Sequence, residues 1–99
     1  MLFRSNARLT LATDTGSLVV EMVMQIGVPT RWIAGRYRWD RGGSTADGPV
    51  SAAEEPTFLG GQSDGVSVGG VFLLLGPDGS ATHRVVLPTT KVARPSGRP

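Results

Sequence analysis

The sequence predicts a small α+β chain: one helix over about residues 13–26, followed by a mostly antiparallel sheet that ends in a hairpin. Three observations carry this expectation. An apolar stripe at helical spacing runs from Leu18 to Ile26 between capping residues. A β-rich stretch spans Thr30 to Trp39, and two more strands flank the turn sequence Gly76-Pro77-Asp78-Gly79-Ser80.

In the helical reading, Leu18, Val19, Met22, Val23 and Ile26 share one stripe, with Ser17, Glu21 and Gln25 opposite. Read with a period of two, Leu18, Val20, Met22, Met24 and Ile26 share a strand face, and the valines suit that too. The flanks favour the helix. Thr13 or Asp14 can accept a backbone N–H at its start, Gly27 supplies a left-handed C-terminal residue, and Pro29 stops it.

Thr30–Trp39 follows as a strand. Arg31, Ile33, Gly35, Tyr37 and Trp39 fall on one face, and Trp32, Ala34, Arg36 and Arg38 on the other. Asp40–Gly65 holds Gly-Gly, Asp-Gly, two prolines and Glu54-Glu55, and is expected as one long polar loop. The hairpin is expected over 66–75 and 81–88, because proline pre-sets φ, aspartate caps locally and glycine accepts positive φ. Pro88 should end it. Residues 6–92 then form a single domain or a piece of one, and 93–99 a disordered tail. Residues 1–5, Met-Leu-Phe-Arg-Ser, resemble the translated end of a sequencing-library adapter. That predicts a non-native extension and a native frame beginning near Asn6.

Composition narrows the function classes. The chain has 99 residues, no cysteine and a formal net charge of +2. Thiol catalysis, disulfides and cysteine metal sites are excluded. No apolar run approaches the roughly 20 residues that span a bilayer as a helix. The excess of positive charge is too small to predict a nucleic-acid partner, although Arg31, Arg36, Arg38 and Arg41 group loosely. Nine of the ten basic residues are arginine, and Gly, Ala and Pro are abundant, which fits a GC-rich bacterial genome and a metagenomic fragment.

His83 is the single histidine. Catalysis by it needs a nucleophile and an orienting group in reach, and no serine sits in a recognisable elbow. One histidine and eight scattered acids give no metal-ligand spacing. The expectation is therefore a non-enzyme with no catalytic, cofactor-binding or metal-binding residues and no cofactor. Trp32 and Trp39 among arginines suggest either a stacking surface for bases or glycans or, more simply, partial burial in a small core. Gly69-Gly70 suggests close packing or a bulge.

Two family resemblances follow from particular residues. Gly27-Val28-Pro29-Thr30-Arg31-Trp32-Ile33-Ala34-Gly35 resembles a segment of transglutaminase-like domains, a branch of the papain-like fold, and the similarity extends over 12–37. There the segment follows the helix whose N-terminus holds the nucleophilic cysteine. Here that position is Ala12, so the resemblance implies the fold without the chemistry. His83-Arg84-Val85-Val86 is one counterpart of the family's histidine strand. In another register Gly69–Leu75 takes that place, Arg84–Thr89 takes the aspartate strand's, and both catalytic residues are missing. Val66-Ser67-Val68-Gly69-Gly70-Val71-Phe72-Leu73 resembles the strand motif of PilZ domains, which bind cyclic di-GMP. The motif's aspartate position holds Gly65 with Asp64 beside it, and of the upstream arginines only Arg4 and Arg8 have the spacing. The first resemblance implies a non-catalytic remnant with a binding or structural role. The second implies a small β-rich binding module, whether nucleotide-binding or part of a secreted or virion assembly, and the rest of a larger polypeptide is a candidate partner.

Overall fold

The structure, a computed structural model, describes residues 3–62 and 65–93. No helix occurs among them, which corrects the α+β expectation: the domain is all-β, a single antiparallel sheet curled into a half-barrel. Its strands are β1 (Phe3–Thr13), β2 (Gly16–Ile26), β3 (Arg31–Asp40), β4 (Thr45–Ala52), β5 (Thr57–Gln62), β6 (Gly65–Leu75) and β7 (Ala81–Ala93). No helix is long and apolar enough to cross a membrane.

The predicted helix over 13–26 is instead the end of β1, a two-residue turn and β2. Leu18, Val20, Met22, Met24 and Ile26 alternate inward and are buried, while Ser17, Val19, Glu21, Val23 and Gln25 alternate outward. Two neighbours decide it. β1 pairs with β2 from Phe3↔Ile26 to Thr13↔Gly16, and β3 takes the other edge. Residues that resemble helix caps instead make hairpin turns. Asp14-Thr15 is the two-residue loop between β1 and β2, and Gly27–Thr30 turns β2 into β3. Thr30 Oγ1 donates to the Gly27 carbonyl at 3.0 Å, and the Gln25 amide donates to the Pro29 carbonyl at 3.0 Å. Tertiary pairing overrides a weak local helical preference.

A bulge rearranges β3. Val23 pairs with Ala34 but Met24 with Trp32, so Ile33 is an extra residue and the alternation resets. Trp32 therefore points inward with Tyr37 and Trp39 rather than away from them, correcting the expected division of faces. Its ring tilts against Phe72 at 5.7 Å and fills the space beneath Gly35, where a Cβ would lie 2.8 Å from the indole.

The stretch expected as a loop over 40–65 contains two strands. β4 pairs with β3 and, through Val50–Ala52, with β6; β5 pairs with the other half of the same β6 edge. β4 and β5 thus act as one strand interrupted by the bend at Ala53–Pro56, where the Ala53 amide donates to the Val71 carbonyl at 2.9 Å. Inward positions of β4 are small (Ala46, Gly48, Val50, Ala52) because Tyr37 and the chain at Leu75 press on them. At Gly48 a Cβ would sit 2.7 Å from the Leu75 carbonyl oxygen. Such residues carry little strand signal of their own.

β6 and β7 form the C-terminal hairpin around a turn in which the Gly79 amide donates to the Gly76 carbonyl at 2.9 Å and Gly79 has φ 84°. β7 does not stop at Pro88. The ladder runs from Gly70↔Leu87 to Val68↔Thr90, leaving Pro88 and Thr89 opposite Gly69. Proline fits that slip on an edge strand because no ladder donor is required of it. Gly69 fits because the Thr89 backbone lies 2.8 Å from where its Cβ would be. The tail expected over 93–99 lies outside the described residues apart from Ala93, the last residue of β7. Phe3, Arg4 and Ser5 of the suspected extension pair with β2.

The interior is apolar. Phe72, Leu18, Met22, Met24, Ile26, Leu74, Leu87, Val20, Val66 and Val68 are its fully buried side chains, and no buried polar or charged residue accompanies them among the described residues. Phe72→Ala removes the central ring and should cost about 3–5 kcal/mol in chemical denaturation. Val86→Ala, at a side chain 63% exposed on the outer face, should change stability by less than about 0.5 kcal/mol.

Asp78 gives the turn a pH dependence. Its carboxylate accepts from the Ser80 hydroxyl at 2.7 Å and the Ser80 amide at 3.0 Å, which holds its pKa below the usual 3.8. A depressed folded-state pKa contributes stability above the unfolded value, lost as pH falls through the folded one. Asp78→Asn should therefore flatten the acid side of a thermal-stability profile below about pH 4.

Candidate functional site

Two places bring functional groups together. The first is the open end of the half-barrel. Trp39 and Arg41 come from β3 and the residue after it, Asp47 from β4, Pro77 from the last turn, and Thr82 and His83 from β7; with Tyr37 they line a depression of about 300 Å³. The His83 ring meets Trp39 edge-on at 4.7 Å, and the Arg41 guanidinium lies over the indole at 4.4 Å. The Trp39 Nε1–H points to Thr13 Oγ1 at 3.4 Å, and the Tyr37 hydroxyl donates to the Leu75 carbonyl at 3.1 Å.

That arrangement closes the core. Arg41 covers a face of Trp39 and His83 packs edge-on against the ring. Among the described residues His83 makes one side-chain hydrogen bond, between Nδ1 and Thr82 Oγ1 at 3.1 Å. That hydroxyl donates its own proton to the Leu74 carbonyl at 3.1 Å, and no carboxylate among the described residues bonds to the ring. Trp32 lies elsewhere in the interior against Phe72, so the two tryptophans do not form one surface.

The second place is the outer face of β1–β3, where the loosely grouped arginines separate. Arg31, Arg36 and Arg38 project outward from β3, while Arg41 turns back onto Trp39. Strand pairing builds three cross-strand rows here: Asn6–Val23–Ala34, Ala7–Met22–Gly35 and Arg8–Glu21–Arg36. The middle row turns inward what side chains it has, so its backbone is a floor. Val23 and the short Asn6 and Ala34 form one low wall, and the charged row forms the other. A groove of about 530 Å³ lies between them.

The charged row is also shared with a second depression of about 340 Å³, lined by Val19, Tyr37, Arg38 and Asp47, so it stands as a ridge between two hollows. Arg8 meets Glu21 through one contact at 3.3 Å, with both side chains mostly exposed. Arg38 lies 3.9 Å from Asp40. Arg36 makes no ion pair and no side-chain hydrogen bond among the described residues. Among those residues, no three of His, Asp and Glu gather at a point able to hold a metal.

Reasoning from sequence named Arg36 but not Arg8 or Glu21 as its neighbours. They lie 28 and 15 positions before it along the chain and meet it only through the β1–β2–β3 register. Glu21 comes opposite Arg8 once the Asp14-Thr15 turn is read as a hairpin, and opposite Arg36 once Gly27–Thr30 is read as a second one.

The elements on which the family resemblances rest are also placed. Gly27–Gly35 is a hairpin turn and the first half of β3, preceded by a strand where the transglutaminase-like pattern needs a helix; Ala12 is an exposed residue of β1. The PilZ-like segment is β6, with Val66, Val68 and Phe72 buried; Asp64 lies outside the described residues, and Arg4 and Arg8 project from β1.

If the barrel end is a plug, its residues should affect stability and leave groove binding unchanged. Trp39→Ala should cost about 2–3 kcal/mol and Arg41→Ala about 0.5–1 kcal/mol in urea denaturation, with unaltered ligand titrations for the folded variants. No protein-family model matches the chain, and neither a curated protein nor a solved structure matches it.

Proposed function

We propose that the chain is a non-catalytic binding module whose outer groove holds a compact, partly apolar small molecule bearing an oxyanion. The observation that carries this reading is the groove itself: a floor of sheet backbone, a low wall of Asn6, Val23 and Ala34, and at the rim Arg36, which makes no ion pair among the described residues. Pockets of 300–1,000 Å³ suit small ligands, and a few placed polar groups orient what apolar contact holds. Guanidinium is the side chain best matched to carboxylate or phosphate, through two parallel N–H donors. Val23 and Ala34 supply contacts for an apolar body of a few carbon atoms.

The test is amide NMR titration with 3-phenylpropionate and with phenyl phosphate, which share the ring and differ in the anion. Shifts should concentrate on residues 6–8, 21–23 and 34–36 and weaken as salt screens the charges. Arg36→Ala should lower affinity about tenfold, the equivalent of losing a charged hydrogen bond. Shifts scattered over the surface, or equal binding by the variant, would overturn the reading. Cyclic di-GMP is titrated alongside because residues 65–73 carry the PilZ likeness; shifts centred on β6 would favour that alternative.

A further inference from the structure

Glu21 occupies an unusual place in the groove. Pairing sets it directly opposite Arg8 on one side and Arg36 on the other, one carboxylate between two guanidiniums. Adjacent strands lie about 4.8 Å apart, so Arg8 and Arg36 start about 10 Å apart, within reach of a shared anion. Glu21 engages Arg8 through one exposed contact at 3.3 Å rather than a two-bonded fork. A single exposed contact of this kind is weak and easily exchanged.

We infer that Glu21 is a built-in competitor: the ligand's oxyanion displaces it from Arg8 and bridges Arg8 and Arg36. This rests on the groove being a ligand site, as proposed above. It adds the ligand chemistry, an oxyanion able to take two guanidiniums at once, and it names Glu21 as a residue that sets affinity and selectivity. A singly charged carboxylate replaces Glu21 charge for charge. A phosphate brings more charge and more acceptors to the same two arginines, so it gains more when Glu21 is neutralised.

No other side-chain partner of Glu21 occurs among the described residues. Its neighbours in the adjacent outward row, Val19 and Arg38, leave Arg8 and Arg36 as the charges that flank it across the strands. Removing its charge therefore frees Arg8 without opening a buried site, because the side chain is 62% exposed.

The experiment compares the whole chain with Glu21→Gln, Arg8→Ala and Arg36→Ala, titrated with phenyl phosphate and 3-phenylpropionate, with thermal melts confirming that each variant is folded. Glu21→Gln should bind both probes about two- to fivefold more tightly, as loss of an exposed ion pair implies, with the larger gain for phenyl phosphate. Arg8→Ala should weaken binding as Arg36→Ala does. If Arg36→Ala weakens binding while Glu21→Gln and Arg8→Ala leave it unchanged, the competitor role is overturned and the groove reading stands. If neither the natural chain nor Glu21→Gln binds either probe, the groove reading falls and the inference with it.

Discussion

The structure depends on period-two burial along β2, a strand held on both edges. Its inward residues from Leu18 to Ile26 lie at the centre of the core, and its outward residues Glu21 and Val23 stand on opposite walls of the groove. Both surfaces follow from one register. A slip of one residue against β1 would turn Met22 outward and Glu21 into the apolar interior, where an unpaired carboxylate is untenable. The register is therefore protected by the cost of burying Glu21 as much as by the gain from burying Met22. The two-residue turn at Asp14-Thr15 and the side-chain bonds around Gly27–Thr30 set the same alignment at both ends of the strand.

The β3 bulge links the interior to the exterior in a second way. By admitting Ile33 as an extra residue, it sends Trp32 inward to occupy the volume that a side chain at position 35 would take. Ala34, beside it on the outer face, is short and keeps that wall of the groove low. A β3 without the bulge would carry Trp32 on the outer face.

Legibility in the sequence followed the range of the interaction involved. The β6–β7 turn was readable because Pro77, Asp78 and Gly79 act on their own backbone, within four residues of one another. β2 was misread because Leu18, Met22 and Ile26 belong to both the helical stripe and the strand face, and because a turn residue such as Asp14 also caps helices. β4 was hidden by its small inward residues, of which Gly48 answers to the close approach of Tyr37 and Leu75 rather than to local preference. Of the groove, the arginine group was visible but its geometry was not. Arg41 and Arg36, five residues apart, point to different places, whereas Arg8 and Arg36, far apart along the chain, flank one glutamate across the strands.

The first and last strands of the sheet end near each other. β7 curls back within contact range of β1 with no ladder joining them, and Leu87 and Val85 pack in the same cluster as Ala7 and Leu9. The core is consequently closed by residues from opposite ends of the chain. During synthesis, a chain released only as far as β6 has every strand of the sheet but one, and an apolar interior open along its side. Completion must wait for the final hairpin, and non-local closure of this kind is slow compared with local pairing. Until then the half-formed sheet exposes Phe72 and Leu74 together with an unpaired edge, which is the state most prone to joining a neighbouring copy.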